Sequence, residues 1–271
     1  MTDFGFKKLF GTEPNKELLI DFLNQVLPER HRIKDLTYSQ NEQLGRHEWD
    51  RRAVFDLYCV SEKNERFIVE LQKAKQNFFK DRSVYYASFP IQEQAQRGEW
   101  DFRLDPVYMV GILDFVFDEH KGEEELKHVV ELKNQRCEVF YDKLKMIYIE
   151  LPKFRKGEEE LETGFEKWLY VLRHLSELQE RPKRLQERVF QRLFEVASIE
   201  RFTVEERRAY EDSLKYYRDL KNVIETAREE GIQEGIQLRT IEIAKRMKER
   251  GISVSEISAM TGLDEGQIQR L

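Results

Sequence analysis

The stretch Val54–Gln72, VFDLYCVSEKNERFIVELQ, constrains this chain more than any other. It reads as two apolar strands, VFDLYCV and RFIVELQ, joined by the polar run Ser61–Glu65, which has the composition of a hairpin turn. Each strand carries an acid where a core residue belongs. Strand residues alternate faces, so Asp56 goes with Val54 and Tyr58, and Glu70 with Ile68 and Gln72. An ionised carboxylate in such a run is costly unless it is paired, hydrogen-bonded or bound to a cation. The residues leave two readings open. Either the acids lie on a solvated hairpin face, neutralised by Arg51, Arg52 or Arg66, or the two share one cationic partner.

Further segments stand in order around the hairpin: TDFGFKKLFG at 2–11, KAKQNFFKDRSVYYASFPIQEQAQRG at 73–98, DPVYMVGILDF at 105–115 and IELPKF at 149–154. Taken with an acid fourteen positions before a Glu-x-Gln strand end, this set resembles the PD-(D/E)XK nuclease superfamily, and within it the transposase-like, recombination-promoting nucleases. The resemblance implies an α/β, restriction-endonuclease-like fold: a mixed central sheet flanked by helices, followed here by an all-helical C-terminal extension. It also implies a metal-dependent endonuclease that hydrolyses DNA phosphodiester bonds in recombination or mobile-element contexts. Asp56 and Glu70 would hold Mg²⁺ or Mn²⁺, and Gln72 would complete the catalytic set where the superfamily usually has lysine. Glutamine is usual at this place in the resembled family. An amide neither titrates nor carries positive charge, so Gln72 can hold a water by hydrogen bonds and no more. The alternative, from another class, is a catalytically weak or inactive nuclease-fold protein acting as a DNA-binding or assembly subunit.

Outside the hairpin, residues 3–30 read as mostly helical, with Leu18, Leu19, Phe22, Leu23, Val26 and Leu27 recurring at three- and four-residue steps until Pro28. In the opening motif, Asp3 and Lys7 either assist the active-site side, as the resemblance implies, or solvate a short amphipathic helix. Ile33, Leu36 and Tyr38 suggest an edge strand. Residues 73–96 read as a helix or a broken pair, with Lys73, Lys75, Lys80 and Arg82 followed by Tyr85, Tyr86 and Phe89. Cations beside aromatics suit a surface that tracks a DNA backbone, with Lys73, Arg82 and Tyr86 as contacts; a solvated helix with a core-facing aromatic stripe gives the same letters. Pro106–Phe117 reads as a central strand buried on both faces, interrupted by Asp114, a further acid to look for near a metal. Residues 118–130 read as an acidic surface connection, followed by two strands, CEVFYDK and KMIYIEL, and by the amphipathic helix GFEKWLYVLRHL.

From about Pro182 onward the pattern is helical only, and we expect a nuclease-like core at 1–178, a helical extension at 179–230 and a tail at 231–271. The repeat EGIQEGIQ interrupts a long charged helix with Gly231 and Gly235, each costing about 1 kcal/mol against alanine, which suggests a close helix crossing or a hinge. The end reads as two short capped helices, with Ser253 and Glu256 at capping-box spacing and Asp264 capping the second. From Leu238 to Leu271 six Arg or Lys stand against five Asp or Glu, which favours packing or a homodimer through the C-terminal helices over DNA reading.

A net charge of -6 restricts any DNA-binding surface to a local groove. No apolar run is long enough to span a membrane, and Cys59 and Cys137, both in expected strands, read as buried thiols of a reducing, cytoplasmic compartment. The five histidines, His31, His47, His120, His128 and His174, show no metal-binding spacing, and the chain has no glycine-rich phosphate loop.

Overall fold

The computed structural model describes residues 1–28, 31–39, 42–43, 53–95, 100–178 and 180–271. Two units emerge, Met1–Tyr210 and Glu211–Leu271.

The first unit opens with α1, Asp3–Phe10, whose first turn is capped by the Thr2 hydroxyl accepting the Gly5 N–H at 3.1 Å. The helix buries Phe6, Leu9 and Phe10 and ends at Gly11. A Cβ at Gly11 would lie 2.7 Å from the Lys7 carbonyl oxygen and 2.8 Å from Leu57 Cδ2, so glycine permits the close seat of α1 against the sheet. Helix α2, Lys16–Val26, buries the expected stripe of Leu18, Leu19, Phe22, Leu23 and Val26.

After β1, Leu36–Tyr38, the short strands β2, Glu42–Gln43, and β3, Ala53–Val54, pair with each other outside the main sheet. The expected strand VFDLYCV is therefore divided: the chain bends at Asp56 and joins the sheet only as β4, Leu57–Ser61. Strand β5, Arg66–Gln72, returns antiparallel to β4 through a turn with Asn64 at φ 62°. Next come α3, Phe79–Glu93, and β6, Val107–Leu113, which is buried along its whole length, as its unbroken apolar sequence requires.

Strands β7, Lys127–Lys133, and β8, Val139–Glu150, correct the sequence reading. The segment expected as a surface connection, residues 118–130, runs into β7 from Lys127 onward, and the two strands expected after it are the single long β8. Cys59 is buried in β4, whereas Cys137 is exposed in the β7–β8 turn at φ 60°, so the strand expected there does not include it.

Among the described residues these strands form a six-stranded mixed sheet in the order β1-β4-β5-β6-β8-β7, with β5, β6 and β8 parallel. The expected edge strand is at the edge. One sheet face packs on α1, α2, α4 (Gly164–His174) and α5 (Arg188–Ala197), with Trp168 of α4 between Phe10 and Phe22 at 5.5 and 5.7 Å. The other face, carrying Tyr58, Ile68, Met109 and Tyr148, packs on Phe79 and Ala87 of α3. Glu70 falls on this second face by strand alternation.

The last long helix is α6, Val204–Glu249, which is continuous through Gly231 and Gly235. The repeat does not interrupt it, and a Cβ at either glycine would meet nothing within 4 Å. In the second unit, Ala244 packs with Ile257 of α7, Val254–Thr261, and Ile268 of α8, Glu265–Arg270. Both expected caps form: Ser253 accepts from Glu256 N and Asp264 from Gly266 N.

Candidate active site

The register Leu57↔Val69 continues outward to set Asp56 opposite Glu70, at the end of the sheet where β4 begins and β5 nears its C-terminus. The Asp56 N–H donates to Glu70 Oε1 at 2.9 Å, and the Leu71 N–H donates to Asp56 Oδ2 at 2.8 Å. Each acid thus satisfies a backbone donor on the other's strand, and this lets two carboxylates share a largely dry position. Glu70 is only 6 % exposed. Burial, and then the negative charge of Asp56, push its carboxyl up to about 8. Burial likewise raises Asp56, with Asp3 adding in the same direction. Beside Glu70 on β6 stands Gly111, where a Cβ would lie 3.1 Å from the Tyr148 ring.

Lys7 and Arg82 bring positive charge to the pair. Lys7 Nζ reaches from α1 to 3.8 Å from Asp56 Oδ1 and 3.1 Å from Asp3 Oδ2. From α3, Arg82 donates through a terminal nitrogen to Gln72 Oε1 at 2.5 Å, while Gln72 Nε2 donates to the Ala74 carbonyl at 2.9 Å. The guanidinium lies 5.6 Å from the centre of the Tyr86 ring, whose hydroxyl is raised by burial and by Glu70. Lys73 is drawn down by burial, with Asp114 and Asp3 opposing. Asp114 itself is exposed, and its N–H donates to the Gln72 carbonyl at 2.9 Å.

The structure therefore assembles Asp56, Glu70, Gln72, Asp3, Lys7, Arg82 and Tyr86 around one end of the sheet. Lys75 and Lys80 are instead held in ion pairs with Asp118 and Glu119. Arg66 faces Asp105 at 3.4 Å rather than the acid pair, and Arg51 and Arg52 lie outside the described residues.

A second cluster runs against the expectation that the histidines have no metal-binding arrangement. His120 Nδ1 and His128 Nε2 lie 3.0 and 3.2 Å from the two oxygens of Glu150, which is fully buried. Spacing could not reveal it, because the histidines stand 30 and 22 residues from Glu150. Burial would raise Glu150, but Lys153, the Phe117 N–H and both histidines outweigh it and hold this carboxyl below its ordinary value.

A mixed sheet with helices on both faces, carrying an acid pair and a glutamine at the end of its central strands, defines a restriction-endonuclease-like protein of the PD-(D/E)XK type. Residues 1–227 match the family described as PD-(D/E)XK nuclease family transposase, and the chain belongs to that family. No curated protein and no solved structure matches it. Membership supports a nuclease-like role associated with mobile elements. Among the described residues no helix is long and apolar enough to cross a membrane.

Proposed function

We propose that this protein is a divalent-metal-dependent DNA endonuclease centred on Asp56 and Glu70. The observation that carries this reading is the buried, reciprocally bonded acid pair, in which burial first and the negative charge of Asp56 second push Glu70 up to about 8. Carboxylate oxygens suit Mg²⁺ or Mn²⁺, and an ion held by the pair would supply charge neutralisation and polarise a phosphate oxygen. Asp56 and Glu70 would hold the ion, each keeping one oxygen on a backbone N–H and so keeping its orientation. Lys7 and Arg82 bring positive charge to the entrance, where a DNA phosphate would be oriented for in-line attack. Gln72 places Arg82 and stands where the superfamily's lysine would be.

One observation favours the weakly active or inactive reading. The Gln72 amide is held by Arg82 at its oxygen and by the Ala74 carbonyl at its nitrogen, and the lone pair and N–H it has left can hold a water but can neither take its proton nor carry positive charge. A cytoplasmic location and a homodimer through the C-terminal helices belong to the same proposal; light scattering tests the latter. Adding Mg²⁺ or Mn²⁺ to the purified protein should raise its melting temperature and leave that of Glu70→Gln unchanged. Equal shifts in both proteins would move the ion elsewhere.

A further inference from the structure

We propose that His120, His128 and Glu150 form a second metal site, for a borderline transition ion such as Zn²⁺, independent of the acid pair. The three side chains come from separate pieces of chain: the 3₁₀ turn Asp118–His120, the start of β7 and the last residue of β8. Their ligand atoms all lie within 4.8 Å of one another. Donors about 2.0–2.1 Å from a tetrahedral ion are separated by about 3.3 Å. The contacts of 3.0 and 3.2 Å from the two imidazoles to Glu150 already have that spacing. The rings are stacked, with centroids 3.8 Å apart and planes at 19°, and so present a nitrogen each to the same carboxylate.

The carboxylate is fixed from behind, as ligands of metal sites usually are. Glu150 Oε1 accepts the Phe117 N–H at 2.8 Å, and Oε2 accepts from Lys153 Nζ at 2.7 Å. The His120 and His128 side chains keep 20 and 15 % exposure, which leaves the site reachable from solvent. Two imidazoles and one carboxylate select Zn²⁺, Co²⁺ or Ni²⁺ over Mg²⁺, whereas the acid pair, all oxygen, has the opposite preference. Lys153, paired with Glu150, opposes a cation. It also donates to the Glu125 carbonyl at 2.8 Å, so it retains an acceptor if Glu150 turns toward an ion. An ion here joins edge strand β7 to β8 and to the turn whose Asp118 and Glu119 hold Lys75 and Lys80.

Co²⁺ titrated into the full chain tests this, read by visible d–d absorption. The expected result is one equivalent with the intensity of a four-coordinate site, unchanged in Asp56→Asn/Glu70→Gln. His128→Ala and His120→Gln should each weaken binding by at least about tenfold, and Lys153→Met should tighten it. Two single-histidine variants are used so that a folding defect in one leaves the other to decide, with circular dichroism confirming which is folded. Absence of the spectrum, its survival in folded histidine variants, or its loss in Cys137→Ser, whose thiol is exposed, would overturn the proposal.

Discussion

Asp56 and Glu70 each hold the other's strand: the Asp56 N–H donates to Glu70 Oε1, and Asp56 Oδ2 accepts the N–H of Leu71, the residue after Glu70. These two bonds fix both carboxylates but supply only dipoles, and the nearby charge of Lys7, 3.8 Å from Asp56 Oδ1, falls on Asp56. The energetic conflict that remains is the basis of the proposed chemistry, and it has consequences measurable without any substrate.

The first is a pH dependence. Glu70 is raised from its ordinary value to about 8, so the folded protein binds more protons than the unfolded chain between roughly pH 4.5 and 8. Its contribution to stability is fully present below the unfolded value and is lost as pH rises through 8; Asp56 shifts in the same direction. In chemical denaturation without divalent ions, the stability of the native sequence relative to Glu70→Gln should fall between pH 5 and pH 9. The glutamine keeps an acceptor for the Asp56 N–H. A difference that stays constant with pH would show that Glu70 titrates normally.

Gln72 and Arg82 should act as one unit. Arg82 donates to the Gln72 side-chain oxygen, and a charged donor makes such a bond worth about 1.5–3 kcal/mol. A double-mutant cycle with Gln72→Ala and Arg82→Ala, read by urea denaturation, should give a coupling of about 1.5–3 kcal/mol, so that the double variant is little worse than either single. Additive losses would separate the two residues.

Gly11 and Gly235 should respond oppositely to alanine. At Gly11 the new Cβ would meet the Lys7 carbonyl and Leu57, so Gly11→Ala should cost about 1–3 kcal/mol and displace α1 with Lys7. At Gly235 it would meet nothing within 4 Å, and alanine should stabilise the helix by about 1 kcal/mol. Thermal melts followed by circular dichroism read both. Destabilisation by Gly235→Ala would mean that this helix face is covered.

The parts legible in the sequence were those with a single period or an unbroken apolar run. Strands β5 and β6, the α2 stripe and the caps at Ser253 and Asp264 fall into this group. Strand β7 was hidden because it is an edge strand whose apolar residues face water: Val129, Val130 and Leu132 are nearly half exposed, so they lack the one-sided pattern that marks a buried strand. Strand β8 read as two because its middle is polar, close to the register shift where Leu132 pairs with Tyr141. At the site, the acids were visible as anomalies in an apolar run. The break at Asp56 and the grip of Arg82 on Gln72 depend on register and on α3 packing, which no local pattern encodes.

The central claim is tested most directly by cleavage of supercoiled plasmid with purified native protein, Asp56→Ala and Glu70→Gln, each with Mg²⁺ or Mn²⁺ and with chelator. The account predicts nicking by the native protein only when the divalent ion is present, and loss of that activity in both variants while circular dichroism shows them folded. Equal nicking by all three proteins, or nicking that persists in chelator, would contradict it.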